Sequence, residues 1–170
     1  MNNRRKKRDE IFSCSFFIHK KNYKFFRSPL SVFRFFCYIC SIIYIMLKNV
    51  YEIYMEKLIE TIVEGIQDKK GKDIVSLDLT GFDGAICSHF VVCNADSTTQ
   101  VAAIADGIEE KVFETLRENP WRVEGKQTGL WVALDYVDVI VHIFQSDLRD
   151  YYRLEELWAD APMIHYESEE

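Results

Sequence analysis

Two apolar segments separated by only two residues, and followed at once by a helical pattern, constrain this chain more than any other feature. The segments cover residues 130–136 and 139–145, and a connection of this length predicts a β-hairpin. The pattern of residues 147–158 predicts the helix that follows. The hairpin and helix carry several aromatic residues but no recognisable catalytic grouping. Such a surface favours docking to a partner over chemistry.

Upstream of the hairpin, the apolar pattern predicts helices and strands around one core. The apolar residues at helical spacing are Leu58, Ile59, Ile62, Val63 and Ile66, then Val101, Ile104, Ala105, Ile108, Val112 and Leu116. Strands are predicted at 73–79, 89–93 and 121–124. Gly71 is predicted to end the first helix. The second helix is predicted to begin at the N-cap Ser97, with Asp96 as the alternative, and to end at Pro120. The order of elements predicts an α/β fold with a mixed five-stranded sheet flanked by helices.

Charge divides the chain into two unequal parts. Residues 1–54 hold 11 Lys/Arg and 3 Asp/Glu, whereas residues 55–170 hold 10 and 24. The excess of acidic residues in 55–170 argues against direct, sequence-specific contact with nucleic acid, because such contact needs clustered basic side chains. An acidic surface suits a basic protein partner, chiefly by speeding encounter. Simple solubility is the alternative explanation.

The segment 1–54 has three competing explanations. It begins with the basic cluster Arg4–Arg8, and residues 35–47 are apolar apart from Ser41. This apolar stretch is shorter than the roughly 20 residues that a spanning helix needs. We favour an upstream extension from a miscalled start before Met55, with a membrane anchor and a targeting segment as alternatives. The expected organisation is therefore a basic extension over 1–54, a domain over 55–158 and an acidic tail over 159–170. The protein is expected to be cytoplasmic and to make no contact with a membrane.

Several short motifs, taken together, resemble the ribosomal silencing factor family, also called the Iojap-related family. They are Val-Glu-Gly at 123–125, Trp131, Leu134-Asp135-Tyr136, Asp138-Val139, Val141-His142, Phe144-Gln145 and Leu-Glu-x-Leu-Trp at 154–158. The resemblance extends from about Met55 to Trp158. It implies a fold related to nucleotidyltransferases and homodimer formation.

The same resemblance implies a function. A member of this family would bind the large ribosomal subunit through its protein numbered fourteen. It would thereby block joining of the small subunit and repress translation when nutrients are short. Two alternatives remain, which are a large-subunit assembly factor that uses the same contact and a nucleotidyltransferase-like enzyme.

The enzyme alternative lacks its expected residues. Two metal-binding carboxylates on one strand face would be two residues apart, because side chains alternate along a strand. Asp135 and Asp138 are three apart across a turn, and the chain contains no Gly-Ser dipeptide. The four histidines have no second His or Cys pair at ligand spacing. The sequence therefore predicts a protein that is not an enzyme and has no catalytic residue, metal or cofactor.

Five residues are the predicted partner-binding set, namely Trp131, Tyr136, His142, Arg149 and Tyr152. Aromatic residues and arginine dominate interface hot spots, and the resemblance places the contact on this hairpin and helix. Trp131 and Tyr136 have opposite parity, so one of them is expected in the core. Core packing is the alternative for Trp131, and a half-buried role is the alternative for His142. The remaining apolar residues of the last helix are predicted to be core, namely Leu148, Tyr151, Leu154, Leu157 and Trp158.

The turn of the hairpin departs from the family pattern. The usual Tyr-Gly-Asp is Tyr136-Val137-Asp138 in this chain. A β-branched residue resists a positive φ, so the turn is expected to adopt a different geometry.

Overall fold

The computed structural model describes residues 30–167, with side chains from residue 38 onward. The basic cluster Arg4–Arg8 lies outside this range. The chain forms two compact units, one ending at Tyr51 and the other beginning at Glu52. In the first, most large apolar side chains from residue 38 onward are exposed. Within the described range, no helix combines the length and the apolar character needed to cross a membrane. The three explanations for residues 1–54 stay predictions.

The second unit is built on a six-stranded mixed sheet, so the predicted α/β class is confirmed. The helices are α1 (Leu30–Asp68), α2 (Thr98–Leu116), α3 (Ser146–Tyr152) and α4 (Leu154–Leu157). The strands are β1 (Lys72–Asp78), β2 (His89–Ala95), β3 (Arg122–Glu124), β4 (Trp131–Asp135), β5 (Val139–Gln145) and β6 (Met163–Tyr166). The strand order is β3-β4-β5-β2-β1-β6, in which β2 and β5 are parallel and every other pair is antiparallel.

One face of the sheet packs against α1 and α2. The apolar residues predicted to face the core in α1 are all buried, and so are those of α2 except Leu116, which is partly buried. Ser97 is the N-cap of α2, because its side chain accepts a hydrogen bond from the backbone N–H of Gln100. The helices approach closely at Gly65, where an added Cβ would lie 3.0 Å from the Cα of Ile108. Helix α2 ends before Pro120, because Arg117 adopts a left-handed backbone conformation with φ of +57°.

The other face of the sheet carries a second, smaller core. Phe90, Val92 and Phe144 are buried there. The covering residues come from the segment after β1 and from the end of the chain, where the rings of Phe82 and Trp158 meet edge to face at 5.7 Å. Trp131 of β4 is partly buried and packs against this second core.

Two details of the predicted fold are corrected. The sheet has a sixth strand, β6, which lies within the segment predicted as an acidic tail and pairs with β1 through Leu77 and Met163. The predicted helix over residues 147–158 is two short helices, because Arg153 has a φ of +44° and interrupts the helical path. Apolar residues of α3 and α4 therefore do not share one continuous helix face.

Candidate partner-binding surface

Four aromatic side chains lie together on the sheet face opposite α2. We call Trp131, His142, Phe144 and Tyr152 the aromatic cluster. The Trp131 ring stacks on Phe144, with centroids 5.0 Å apart and an interplanar angle of 23°. Tyr152, from α3, lies over the same indole at 5.2 Å. The hairpin and the helix thus bring three of the five predicted partner-binding residues together.

A hydrogen bond links the two nitrogen-bearing rings of the cluster. The indole Nε1–H of Trp131 donates to Nδ1 of His142 over 3.3 Å. His142 is only 8% exposed, and burial lowers its pKa to about 4, so the imidazole is neutral near pH 7. With Nδ1 acting as the acceptor, the ring proton is on Nε2.

Exposed apolar side chains border the aromatic cluster. Tyr152 is 47% exposed, and Leu130, which precedes Trp131 in the chain, is 45% exposed. Tyr151 at 78% and Leu157 at 74% are even more accessible, so their prediction as core residues was wrong. Apolar spacing does not reveal the break at Arg153, where the first of the two short helices ends. A group of exposed apolar side chains beside a half-buried tryptophan is typical of a protein interface.

Arg149 is held within the chain rather than presented to a partner. Its side chain is 13% exposed and forms an ion pair with Glu155, over 2.8 Å from Nε. The same guanidinium donates to the backbone oxygen of Asp73 over 2.6 Å and to Oδ1 of Asn94 over 2.8 Å. Arg149 therefore fastens α3 and α4 to the ends of β1 and β2.

Tyr136 lies on the other side of the sheet. Its side chain is 5% exposed in the core beneath α2, and burial raises the pKa of its phenol. Opposite parity along the hairpin accounts for its separation from Trp131, so Tyr136 is not part of the candidate surface.

The hairpin turn keeps a positive φ despite its valine. Val137 has a φ of +78°, where a β-branched residue is strained. Its N–H donates to a carboxylate oxygen of Asp135 over 2.7 Å, and the N–H of Tyr136 donates to the oxygen of Val139 over 2.9 Å. These bonds hold the expected hairpin closed and occupy an oxygen of Asp135.

The rim of the surface is acidic. The segment 146–160 contains Asp147, Asp150, Glu155, Glu156 and Asp160 against two arginines. Both arginines already have acidic partners in this segment, Glu155 and Glu156. Within residues 38–167, no group of three or more His, Cys, Asp or Glu side chains is arranged to hold a metal ion. The arrangement is an apolar aromatic surface with a negative border.

Comparison with known proteins identifies the class to which this fold and surface belong. A family model described as "Ribosomal silencing factor during starvation" matches residues 53–170, which is more than half of the chain. The protein belongs to the ribosomal silencing factor family, as the sequence motifs indicate.

Individual relatives agree with this assignment. The ribosomal silencing factor of Halalkalibacterium halodurans is 38% identical over 112 residues, which cover 66% of this chain and 94% of the relative. A crystal structure of a Chromobacterium violaceum protein has a TM-score of 0.58 and 34% identity, covering 61% of this chain and 85% of that one. A mouse relative named "Mitochondrial assembly of ribosomal large subunit protein 1" is 24% identical, over 59% of this chain and 44% of its own length.

Proposed function

We propose that this protein binds the large ribosomal subunit through the protein numbered fourteen and sterically prevents the small subunit from joining. The observation that carries the proposal is the exposed apolar surface around Trp131 and Tyr152, bordered by acidic residues. The hydrophobic centre would supply affinity, while the acidic rim would speed encounter with a basic ribosomal protein. Its site of action would be the cytoplasm, where subunits join.

Binding, rather than catalysis, suits the polar groups at this surface. An Asp135 oxygen accepts a hydrogen bond within the hairpin turn. His142 has one nitrogen committed to Trp131, and its lowered pKa is unsuited to general acid–base work near pH 7. Steric occupancy needs neither a catalytic residue nor a cofactor. The protein would thus regulate translation by binding alone.

An assembly role is the second candidate function. The observation that favours it is the printed name of the mouse relative, which refers to assembly of a ribosomal large subunit. Both functions would use the same contact. They differ in outcome, because a silencing factor stops purified mature subunits from joining, whereas an assembly factor changes the yield of mature large subunits in cells that lack it.

The test of docking is co-sedimentation with purified bacterial large ribosomal subunits. Truncating an interface hot spot costs about 2 kcal/mol or more, so Trp131→Ala should weaken binding roughly thirtyfold. The matched control is Trp121→Ala, which removes another partly exposed tryptophan (55% exposed) outside the aromatic cluster. Trp121→Ala should bind as the wild type does.

Joining of the small subunit is measured in the same preparations by sucrose-gradient sedimentation. Wild-type protein should reduce the fraction of joined ribosomes. At the same concentration, the Trp131→Ala variant should leave that fraction unchanged. Thermal unfolding checks that Trp131→Ala stays folded. A folded Trp131→Ala variant that binds and blocks joining at wild-type concentrations would show that the aromatic cluster is not the docking surface.

The resemblance also implies homodimers, and the same apolar surface is the proposed self-association site. Self-association would then compete with ribosome docking, because both would cover Trp131 and Tyr152. Sedimentation equilibrium of wild-type protein and Trp131→Ala measures this, and an unchanged dimer in the variant would locate the dimer contact elsewhere.

A further inference from the structure

The orientation of Trp131 depends on a hydrogen bond to His142 within the protein. The indole Nε1–H donates to Nδ1 of His142, while the ring packs against both Phe144 and Tyr152. Stacking fixes the plane of a ring only loosely, whereas a hydrogen bond at one edge also fixes its rotation. The hydrogen bond thus selects one orientation of the Trp131 side chain.

Apart from the hydrogen bond to Trp131, the surroundings of His142 give no reason for a histidine at this position. Its neighbours on the same sheet face are apolar, with Phe90 at 4.9 Å and edge to face. Its Nε2 is buried and has no hydrogen-bond partner within the described residues. Burying an imidazole is costly, and an apolar side chain would fit this environment without that cost. What histidine provides here, and an apolar residue cannot, is the acceptor for Trp131.

We propose that His142 is a positioning residue that holds Trp131 in the orientation in which it docks to the large ribosomal subunit. The inference rests on the proposed function. The histidine acts in its neutral form, with the proton on Nε2 and the lone pair of Nδ1 facing the indole. Because the indole is ordered before the partner arrives, docking avoids the entropy cost of immobilising it.

Two substitutions at this position separate the acceptor from the bulk of the ring. His142→Leu fills the site but has no acceptor. His142→Asn places an amide oxygen close to the position of Nδ1 and should restore the bond. Ile143→Val is the matched control, since Ile143 is buried in the core beneath α2 and faces away from Trp131. Should His142→Leu fail to fold, His142→Phe, which also lacks an acceptor, takes its place.

The first measurement is the affinity for purified bacterial large ribosomal subunits by co-sedimentation. Losing the order of one side chain should weaken binding about three- to tenfold in His142→Leu. His142→Asn and Ile143→Val should bind within about twofold of the wild type. A merely structural role for His142 predicts a different pattern, in which Asn also binds poorly and binding follows thermal stability.

The second measurement is made on the free protein. The indole N–H signal of Trp131, assigned by its loss in Trp131→Phe, should exchange slowly with solvent in wild type and His142→Asn. It should exchange faster in His142→Leu. Equal exchange in all three would overturn the positioning role, because the hydrogen bond would not be protecting the indole.

A double-mutant cycle completes the test. Phenylalanine has no N–H, so adding His142→Leu to Trp131→Phe should weaken docking no further. An additional loss in that background would show that His142 acts other than through Trp131 and would overturn the proposal. If wild-type protein does not sediment with large subunits, the proposed function fails and the docking role fails with it. If the wild type binds and His142→Leu binds equally well, only the positioning role is wrong.

Discussion

Burial of His142 makes folding stability depend on pH. The imidazole lies 8% exposed among apolar rings, and desolvation lowers its pKa from 6.5 to about 4, against a smaller opposing effect of the nearby Glu155 carboxylate. The unfolded chain therefore binds a proton at a higher pH than the native chain does. Stability from this group is complete above pH 6.5 and is lost as the pH falls toward 4.

This pH dependence gives a direct prediction. Between pH 7.5 and pH 5, the free energy of unfolding should fall by about 2 kcal/mol more in the wild type than in His142→Leu. Urea unfolding of both proteins at the two pH values measures the difference. Because the other titratable groups are common to both, their contributions cancel. Parallel pH profiles would show that His142 titrates normally in the folded protein.

At the scale of the elements, Gly125 is needed for the return of β3 into β4. It has a φ of +81°, and an added Cβ would lie 1.9 Å from the backbone oxygen of Trp131. Gly125→Ala should therefore cost at least about 2 kcal/mol of stability, measured by urea unfolding. Gly81→Ala is the control, because no atom lies within 4 Å of the added Cβ and its φ is not positive. Equal stability of the two variants would contradict this steric account.

Arg149 joins α3 and α4 to the sheet. Arg149→Met would leave the partly buried Glu155 carboxylate and the Asn94 oxygen without their donor, which should cost about 3 kcal/mol of stability. The double variant Arg149→Met/Glu155→Met should be more stable than Arg149→Met alone, because it also removes the unpaired charge. Chemical unfolding of the single and double variants measures this coupling. Simple additivity would mean that the ion pair does not hold these helices.

The apolar pattern predicted the elements that bury one continuous face or nearly their whole length. Helix α2 and strands β2 and β5 were predicted correctly because each has a continuous apolar face. Strand β6 was missed because only two of its four residues are partly buried and it lies at the sheet edge. Ala161-Pro162, a turn signal just before Met163, was the available clue.

Predicting the surface was harder than predicting the fold. Parity correctly separated Trp131 from Tyr136, because it follows from the geometry of a strand. No pattern predicted that Arg153 would adopt a left-handed conformation and end α3. Tyr151 and Leu157 lie exposed on either side of this break in the helix. The sequence also could not show that Arg149 donates hydrogen bonds to Asp73 and Asn94, since those two residues are distant from it in the chain.

At the scale of the whole molecule, the fold and the proposed docking surface belong to the unit that begins at Glu52. The family model begins at residue 53, and both cores are built from residues beyond Tyr54. Residues 52–170 expressed alone should therefore unfold cooperatively and bind large ribosomal subunits with the affinity that the full chain shows at high salt.

Thermal unfolding and co-sedimentation of the full chain and of 52–170 test this prediction side by side. The charge balance makes the comparison informative, because residues 1–54 are basic and the remainder is acidic. A basic segment can bind ribosomal RNA without specificity, and such binding weakens steeply with salt. The full chain should therefore show additional binding at low salt that disappears at high salt, whereas Trp131→Ala should weaken the binding of 52–170 at both. Loss of folding or of binding in 52–170 would show that the preceding residues are part of the functional domain.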